Sequence, residues 1–185
     1  MISNTITITR ILFTPLLFAL LVYGNHQYRW FALALFLGAG VLDLADGFAA
    51  RKFNEVSKFG AMIDLIGDRL LTYASLLGLI IAGDVQGLAL VAAAILIARD
   101  TIVASLNEAL PGRLKMTVST IEKIKIAAAF LGITLLMAPP LFAEQQSTGS
   151  VVLCVAAAIT LITLADYWMR GLRSFRDLKA ETTTS

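Results

Sequence analysis

Apolar residues run along this chain in long stretches that are separated by short polar or turn-forming breaks. The stretches cover residues 5–24, 30–50, 57–82, 87–110, 118–143 and 149–170. A helix needs about 20 largely apolar residues to cross a bilayer, and each stretch is long enough to do so. The pattern predicts an all-α integral membrane protein with six transmembrane helices.

The composition agrees with this assignment. Hydrophobic residues make up 58% of the 185 residues and charged residues 15%, and the mean hydropathy is +0.80, beyond the range of a soluble globular domain. Six spans with short connections use nearly the whole chain. We therefore expect a single membrane domain over residues 1–185, with a disordered tail at 181–185.

Apart from Arg10, Arg69 and Arg99, which stand inside or at the edges of the apolar stretches, lysine and arginine concentrate in alternate connections. Such residues accumulate in cytoplasmic loops, which predicts that both termini and the loop after the second stretch face the cytoplasm. The opposite connections contain only Arg29. The predicted cytoplasmic cations are Arg51, Lys52, Lys58, Arg113, Lys115, Lys123, Lys125, Arg170, Arg173, Arg176 and Lys179.

Four aspartates stand at the facing ends of the second and third stretches. Asp43 and Asp46 are three residues apart, and Asp64 and Asp68 are four apart, so each pair shares one face of a helix. A short cytoplasmic loop joins the two helix ends. The spacing therefore predicts that the four carboxylates converge.

Carboxylates in an apolar environment need compensating charge. Each costs about 2.5–3.5 kcal/mol at mid-span, and less near the interface. The nearby Arg51 and Arg69 neutralise only part of the negative charge of the four aspartates. Divalent cations could neutralise the rest, and a site made only of oxygen ligands suits Mg²⁺ or Mn²⁺ better than zinc. The sequence favours a two-metal site.

Two alternatives compete with the metal site. The aspartates could instead be interfacial residues that pair with Arg51, Lys52, Lys58 and Arg69. They could also line the path of a divalent cation transporter, although transport favours acids spread across the membrane depth and these cluster at one end.

The same residues resemble a known signature. The CDP-alcohol phosphatidyltransferases carry D-x2-D-G-x2-A-R-x8-G-x3-D-x3-D, and the chain has every fixed position. The N-terminal "ISNTITITRILFTP" is similar to the I-P-N-x-L-T-x-x-R-x4-P segment of bacterial members, with Ser3 in place of the usual proline. The resemblance covers roughly residues 2–130, and the matching signature residues are Asp43, Asp46, Gly47, Ala50, Arg51, Gly60, Asp64 and Asp68.

The resemblance implies a six-span homodimer in a bacterial inner membrane, with a polar cavity open to the cytoplasm. CDP-diacylglycerol would donate its phosphatidyl group to a polar alcohol and CMP would leave; no nucleic acid takes part. Asp43, Asp46, Asp64 and Asp68 would bind the metals, and Asp68 would also be the general base. The donor nucleotide would lie against Gly47, Ala50, Arg51 and Gly60.

The first helix offers further polar residues. Asn4, Thr7 and Arg10 are spaced i, i+3, i+6. One interpretation is that all three line the cavity, with Asn4 and Thr7 next to the donor nucleotide. The alternative is that Asn4 caps the helix and Arg10 extends to the membrane interface.

The acceptor alcohol is indicated by cations on the fourth and fifth stretches. A phosphorylated alcohol suits this group of cations, and glycerol 3-phosphate is the leading candidate. The cations are Arg99, Arg113, Lys115, Lys123 and Lys125. Arg99 either faces the cavity or pairs with Asp100 or another acid. Bacterial phosphatidylglycerophosphate synthases resemble the chain in the N-terminal segment and at the two lysines. However, they usually have D-P-x-A-D-K where this chain has "DLIGDR", which is closer to the inositol-lipid branch, so inositol, inositol phosphate and phosphatidylglycerol stay open as acceptors.

Overall fold

The structure is a computed structural model that describes residues 2–24, 26–53, 58–109, 120–142 and 144–183. Within these ranges, some helical positions are described for the backbone alone, namely 2–7, 26, 44–53, 58, 59, 61, 64, 107–109, 166 and 170–183.

The described residues form helices and contain no strand. The helices are α1 (Ile2–Tyr23), α2 (His26–Phe53), α3 (Lys58–Ile81), α4 (Leu88–Ala109), α5 (Thr120–Met137) and α6 (Gln145–Thr183). The predicted all-α class is confirmed, and each helix corresponds to one apolar stretch.

Two of these helices are long and apolar enough to cross a membrane by length and composition. The spans are Leu88–Leu106 in α4 and Gln145–Met169 in α6, and α1 contributes a shorter apolar segment, Ile8–Tyr23. These findings cover the described residues and support part of the predicted topology. Six spans and cytoplasmic termini stay predictions.

The fifth helix is shorter than predicted. It ends at Met137 instead of continuing to 143, because Pro139 and Pro140 follow and a proline lacks the N–H that a helix interior requires. The buried side chain of Gln145 forms hydrogen bonds with backbone N–H and carbonyl groups at this helix end. Its Nε2 donates to the carbonyl oxygens of Ala138 at 2.9 Å and Leu135 at 3.0 Å; its Oε1 accepts from the N–H of Leu141 at 2.7 Å.

The sixth helix is longer than its predicted span of 149–170. It extends to Thr183 because the segment after the apolar stretch is rich in Arg, Leu, Lys, Ala and Glu, all good helix formers, and contains no proline. Residues 184–185, the end of the predicted disordered tail, lie outside the described residues.

The chain divides into two compact units. The first contains residues 1–86 and 132–150, and the second contains residues 87–131 and 151–185. In the first unit α1 packs against both α2 and α3. Gly78 allows this close packing, because a Cβ there would lie 2.8 Å from Cδ1 of Leu21.

An ion pair fastens the turn after α3 within the first unit. Gly83, at a φ of 82°, ends the helix in the left-handed conformation that glycine tolerates best. Asp84 follows, and its Oδ2 accepts from Nη2 of Arg29 at 2.5 Å, while Nε2 of Gln146 donates to the Asp84 carbonyl oxygen at 2.5 Å. Arg29, which stood apart in the cation distribution, therefore joins the start of α2 to this turn.

Small residues contribute to the core of the second unit. Ala92 and Ala93 of α4 and Ala156 and Ala157 of α6 are buried. Thr160, fully buried, donates its hydroxyl to the Ala156 carbonyl oxygen at 2.7 Å, so this polar group is satisfied inside its own helix.

Candidate active site

An arginine of α1 joins two aspartates of the signature in the first unit. Nη1 of Arg10 lies 2.5 Å from Oδ1 of Asp43 on α2, and its Nη2 contacts Oδ1 of Asp68 on α3. The predicted convergence of the second and third helices is confirmed for these two carboxylates. Three helices supply one charged cluster, which we call the Arg10 cluster: Arg10, Asp43 and Asp68.

Burial in this cluster is uneven. The side chain of Arg10 is 3% exposed, whereas those of Asp43 and Asp68 are 33% and 48% exposed. A guanidinium this deeply buried in an apolar helix is stable only when acceptors compensate for its lost hydration. The carboxylates bind the arginine on their buried side and remain accessible on the other.

Local structure holds Arg10 in place. It belongs to the segment of α1 that packs on α2 and α3, and the hydroxyl of the buried Thr14, one turn later, donates to the Arg10 carbonyl oxygen at 3.0 Å. Pro15 leaves one helix carbonyl without its usual donor, yet α1 continues to Tyr23.

The sequence allowed two interpretations of Arg10, one in which it lines the cavity and one in which it extends to the membrane interface. The second is wrong, because Arg10 is buried between two carboxylates. The signal that could have found it was its charge inside the apolar run of α1, since an ionisable residue in such a run needs an internal partner.

The rest of the signature lies on continuous helices. Asp46, Gly47, Ala50 and Arg51 belong to α2 and Asp64 to α3, as their spacing requires, but their side chains lie outside the described residues, as do those of Asn4 and Thr7 in α1. Gly60 is half-buried in α3.

The metal prediction can be compared with the chemistry of the donors. Among the described side chains, no group of three or more His, Cys, Asp and Glu could hold a metal. Of the four predicted metal ligands, the side chains of Asp43 and Asp68 are described and those of Asp46 and Asp64 are not. The two described carboxylates already share one cation, the Arg10 guanidinium. Partly exposed oxygen donors that meet on one positive charge fit a hard divalent cation.

The predicted acceptor cations lie in the second unit. Arg99 is buried, and its Nη1 lies 2.9 Å from Oδ1 of Asp100 and its Nη2 2.7 Å from Oε1 of Glu122. Nζ of Lys125, also buried, lies 3.2 Å from Oε2 of Glu122 and 3.7 Å from Oδ1 of Asp100. Of the two sequence alternatives for Arg99, the pairing with Asp100 and another acid is confirmed.

This cluster of two cations and two acids is electrically balanced. The Arg99 guanidinium also lies 5.4 Å from the centre of the Tyr167 ring, within cation–π range. Its Nε is buried without a hydrogen-bond partner among the described residues. Lys123 is exposed, and Arg113 and Lys115 lie outside the described residues. The sequence showed the cations of this cluster but not that Glu122 balances them.

Comparison with known proteins agrees with the signature. The family model for CDP-alcohol phosphatidyltransferase matches residues 1–169. A CDP-diacylglycerol--glycerol-3-phosphate 3-phosphatidyltransferase of Rickettsia bellii is 29% identical over 171 residues, which cover 90% of this chain and 93% of the relative. A probable phosphatidylglycerophosphate synthase of Mycobacterium tuberculosis is 30% identical over 183 residues, covering 96% and 85%.

A third relative extends this agreement. A CDP-diacylglycerol--glycerol-3-phosphate 3-phosphatidyltransferase of Pseudomonas fluorescens is 31% identical over 172 residues, covering 90% of this chain and 87% of the relative. The similarity thus runs through both compact units and is not confined to the aspartate signature.

Proposed function

Because this chain belongs to the CDP-alcohol phosphatidyltransferase family, we propose that it transfers the phosphatidyl group of CDP-diacylglycerol to glycerol 3-phosphate and releases CMP. The observation that carries the proposal is the meeting of Asp43 and Asp68 on the buried Arg10. It brings the first and last aspartates of the signature to one place. The names of the relatives indicate the acceptor.

The reaction is a displacement at phosphorus. A hydroxyl oxygen of the acceptor attacks the phosphorus that carries the diacylglycerol, a new P–O bond forms, and the bond to the CMP oxygen breaks. The hydroxyl proton must go to a base. We assign this role to Asp68, whose side chain is 48% exposed and whose Oδ1 is oriented by Arg10, leaving Oδ2 to accept the proton.

Asp43, Asp46, Asp64 and Asp68 are the residues that we propose to hold Mg²⁺ or Mn²⁺. When bound, these ions would neutralise the negative charge that develops on the leaving CMP. The position of Arg10 is compatible with the proposal, because a positive charge lies where Asp43 and Asp68 meet. Gly47, Ala50, Arg51, Gly60, Asn4 and Thr7 remain the proposed contacts of the donor nucleotide.

We propose that Arg99, Arg113, Lys123 and Lys125 recognise the phosphate of the acceptor. An anion that binds Arg99 or Lys125 has to compete with Glu122 and Asp100, which already form ion pairs with them. Lys123 is exposed and open to an anion. Inositol, inositol phosphate and phosphatidylglycerol are the competing acceptors, and the relatives' names favour glycerol 3-phosphate over them.

The membrane setting is supported by the surface of the helices. Large apolar side chains stand exposed along them, among them Leu12 at 71%, Val41 at 65%, Leu88 at 81% and Ile162 at 70%. Apolar surface of this extent requires lipid or a protein partner to cover it. Together with the cation distribution, this supports six spans in a bacterial inner membrane, a cytoplasmic active site and cytoplasmic termini; the homodimer rests on the family resemblance.

Divalent metal is expected to be essential for activity, because Arg10 neutralises only part of the negative charge of four carboxylates and a diphosphate. Purified protein should release CMP from CDP-diacylglycerol and glycerol 3-phosphate in Mg²⁺ or Mn²⁺ and should release none in EDTA. Full turnover in chelator, with metal content verified as negligible, would contradict the metal proposal. Uptake of labelled Mg²⁺ into proteoliposomes without CMP release would instead indicate a transporter.

A further inference from the structure

The charged cluster of the second unit contains an arginine whose hydrogen bonding is incomplete. We call it the Arg99 cluster, and its members are Arg99, Asp100, Glu122 and Lys125. Nη1 of Arg99 donates to Oδ1 of Asp100 at 2.9 Å, and Nη2 donates to Oε1 of Glu122 at 2.7 Å. The Arg99 Nε is buried and has no hydrogen-bond partner among the described residues. A buried donor without an acceptor costs free energy, so the cluster lacks one acceptor oxygen.

The unpaired donor lies on the edge of the guanidinium that Glu122 also contacts. In an arginine, the N–H of Nε and one N–H of Nη2 point in the same direction, so that together they bind two oxygens of one anion. Glu122 fills only half of this edge, because its Oε1 accepts from Nη2 while its Oε2 lies 3.2 Å from Nζ of Lys125. A phosphomonoester has three terminal oxygens, enough to accept from Nε, Nη2 and Lys125 together.

Glu122 is placed where its side chain can turn out to solvent. It belongs to the first turn of α5, and its neighbours in the chain, Ile121 and Lys123, are exposed. The helix therefore begins at the surface, and a change of side-chain rotamer is enough to expose the Glu122 carboxylate. Asp100 lies within α4 and directly follows Arg99 in the chain, so it stays beside the guanidinium when Glu122 leaves.

We propose that Glu122 is a resident counter-ion which a phosphomonoester displaces from Arg99 and Lys125, an inference that rests on the proposed function. With Glu122 turned out, the two cations and Asp100 leave one net positive charge, which attracts a dianion. The incoming phosphate also supplies the acceptor that Nε lacks. Glu122 is thus a specificity-determining residue, because an anion that gains no further contacts, such as inorganic phosphate, displaces it poorly.

The test removes the charge of Glu122 and measures phosphate binding without turnover. Glu122→Gln keeps the length of the side chain and an oxygen that can accept from Arg99. Asp84→Asn, which weakens the ion pair with Arg29 in the first unit, is the matched control. Thermal unfolding is followed against inorganic phosphate at constant ionic strength and in EDTA, so that phosphate cannot bind through a metal. KM for glycerol 3-phosphate and for CDP-diacylglycerol is measured separately.

Glu122→Gln is expected to bind inorganic phosphate about tenfold more tightly than wild type, because a conformation that blocks the site in about 90% of the molecules lowers the apparent affinity by that factor. Without phosphate the variant should unfold at a lower temperature than wild type, since a buried cation has lost its partner, and phosphate should restore the difference. KM for glycerol 3-phosphate should fall by a similar factor while KM for CDP-diacylglycerol stays unchanged. Asp84→Asn should lose stability and keep the wild-type response to phosphate.

Two outcomes separate this inference from the proposed function. A Glu122→Gln protein that is less stable than wild type but responds to phosphate no more strongly would overturn the inference, and Glu122 would be a purely structural counter-ion. Tighter phosphate binding in a protein that does not turn over glycerol 3-phosphate would support displacement of Glu122 and contradict only the proposed acceptor.

Two further variants keep the inference testable if Glu122→Gln does not fold. Glu122→Asp keeps the charge on a side chain one methylene shorter, so it should hold Arg99 less well and bind inorganic phosphate more tightly than wild type; unchanged binding would contradict displacement. Glu122→Gln combined with Lys125→Met leaves Arg99 balanced by Asp100 alone, so this double variant should lose most of the phosphate response. A response that survived in it would place the anion elsewhere and overturn the inference.

Discussion

Replacing Asp68 by asparagine is expected to lower turnover by at least about 100-fold while the protein stays folded. Loss of a general base typically costs about 10²–10⁴ in rate, and weaker metal binding would add to the loss. Asparagine keeps the size of the side chain and an oxygen that can accept from Arg10, and removal of a carboxylate from an apolar helix eases insertion. The measurement is CMP release at saturating metal.

The chain offers a matched control for this variant. Asp84 is also held by an arginine of the first unit, Arg29, at 2.5 Å, but lies outside the signature. Asp84→Asn weakens an ion pair of the same kind, so it should cost some stability and leave turnover within a few-fold of wild type. If Asp68→Asn kept more than about a tenth of wild-type turnover, the proton would have to go to a neighbouring carboxylate or to water.

Replacing Arg10 by methionine is expected to have a large effect on both stability and activity. Removing one partner from a fully buried ion pair costs about 3–5 kcal/mol; because Asp68 is about half exposed, solvent screening reduces this to about 1–3 kcal/mol. Displacement of the two carboxylates by about 1 Å can cost about 100-fold in rate. The variant should therefore unfold at a lower temperature in EDTA and turn over about 100-fold more slowly.

Metal gives this variant a second readout. With Arg10 gone, the proposed divalent cation would be the main positive charge between Asp43 and Asp68, so adding Mn²⁺ should raise the unfolding temperature more in Arg10→Met than in wild type. Arg10→Lys keeps the charge but loses the fork that reaches two carboxylates, and it should fall between the two. An Arg10→Met protein that matched wild type in EDTA and kept full turnover would contradict a positioning role for Arg10.

The aspartate spacing was enough to predict where Asp43 and Asp68 meet. Both residues stand near the facing ends of two apolar stretches that a short loop joins. Because a short loop makes the two helices antiparallel neighbours, these ends lie close together. The spacing of the aspartates did not predict that Arg10 lies between them. Arg10 lies 33 residues from Asp43 along the chain, and no local periodicity indicates which helix contributes a partner at that distance.

Helix ends and ion-pair partners show the same limit. The end of α5 at Met137 follows from Pro139 and Pro140, a local signal that the run of apolar residues masked. The balance of Arg99 by Glu122 depends on a contact between residues 23 apart, and the sequence left open whether Arg99 faces the cavity or pairs with an acid. Local chemistry predicted the helices and the meeting of Asp43 with Asp68, whereas long-range packing decided which cations join them.

The central claim, phosphatidyl transfer to glycerol 3-phosphate, is tested most directly by identifying the lipid product. Purified protein is incubated with CDP-diacylglycerol, Mg²⁺ and one of five acceptors, namely glycerol 3-phosphate, inositol, inositol phosphate, serine or phosphatidylglycerol, and the lipids are analysed by mass spectrometry. We predict phosphatidylglycerophosphate in equal amount to CMP with glycerol 3-phosphate, and no lipid product with the others. A product with another acceptor but none with glycerol 3-phosphate, or no lipid product with any of them, would contradict the claim.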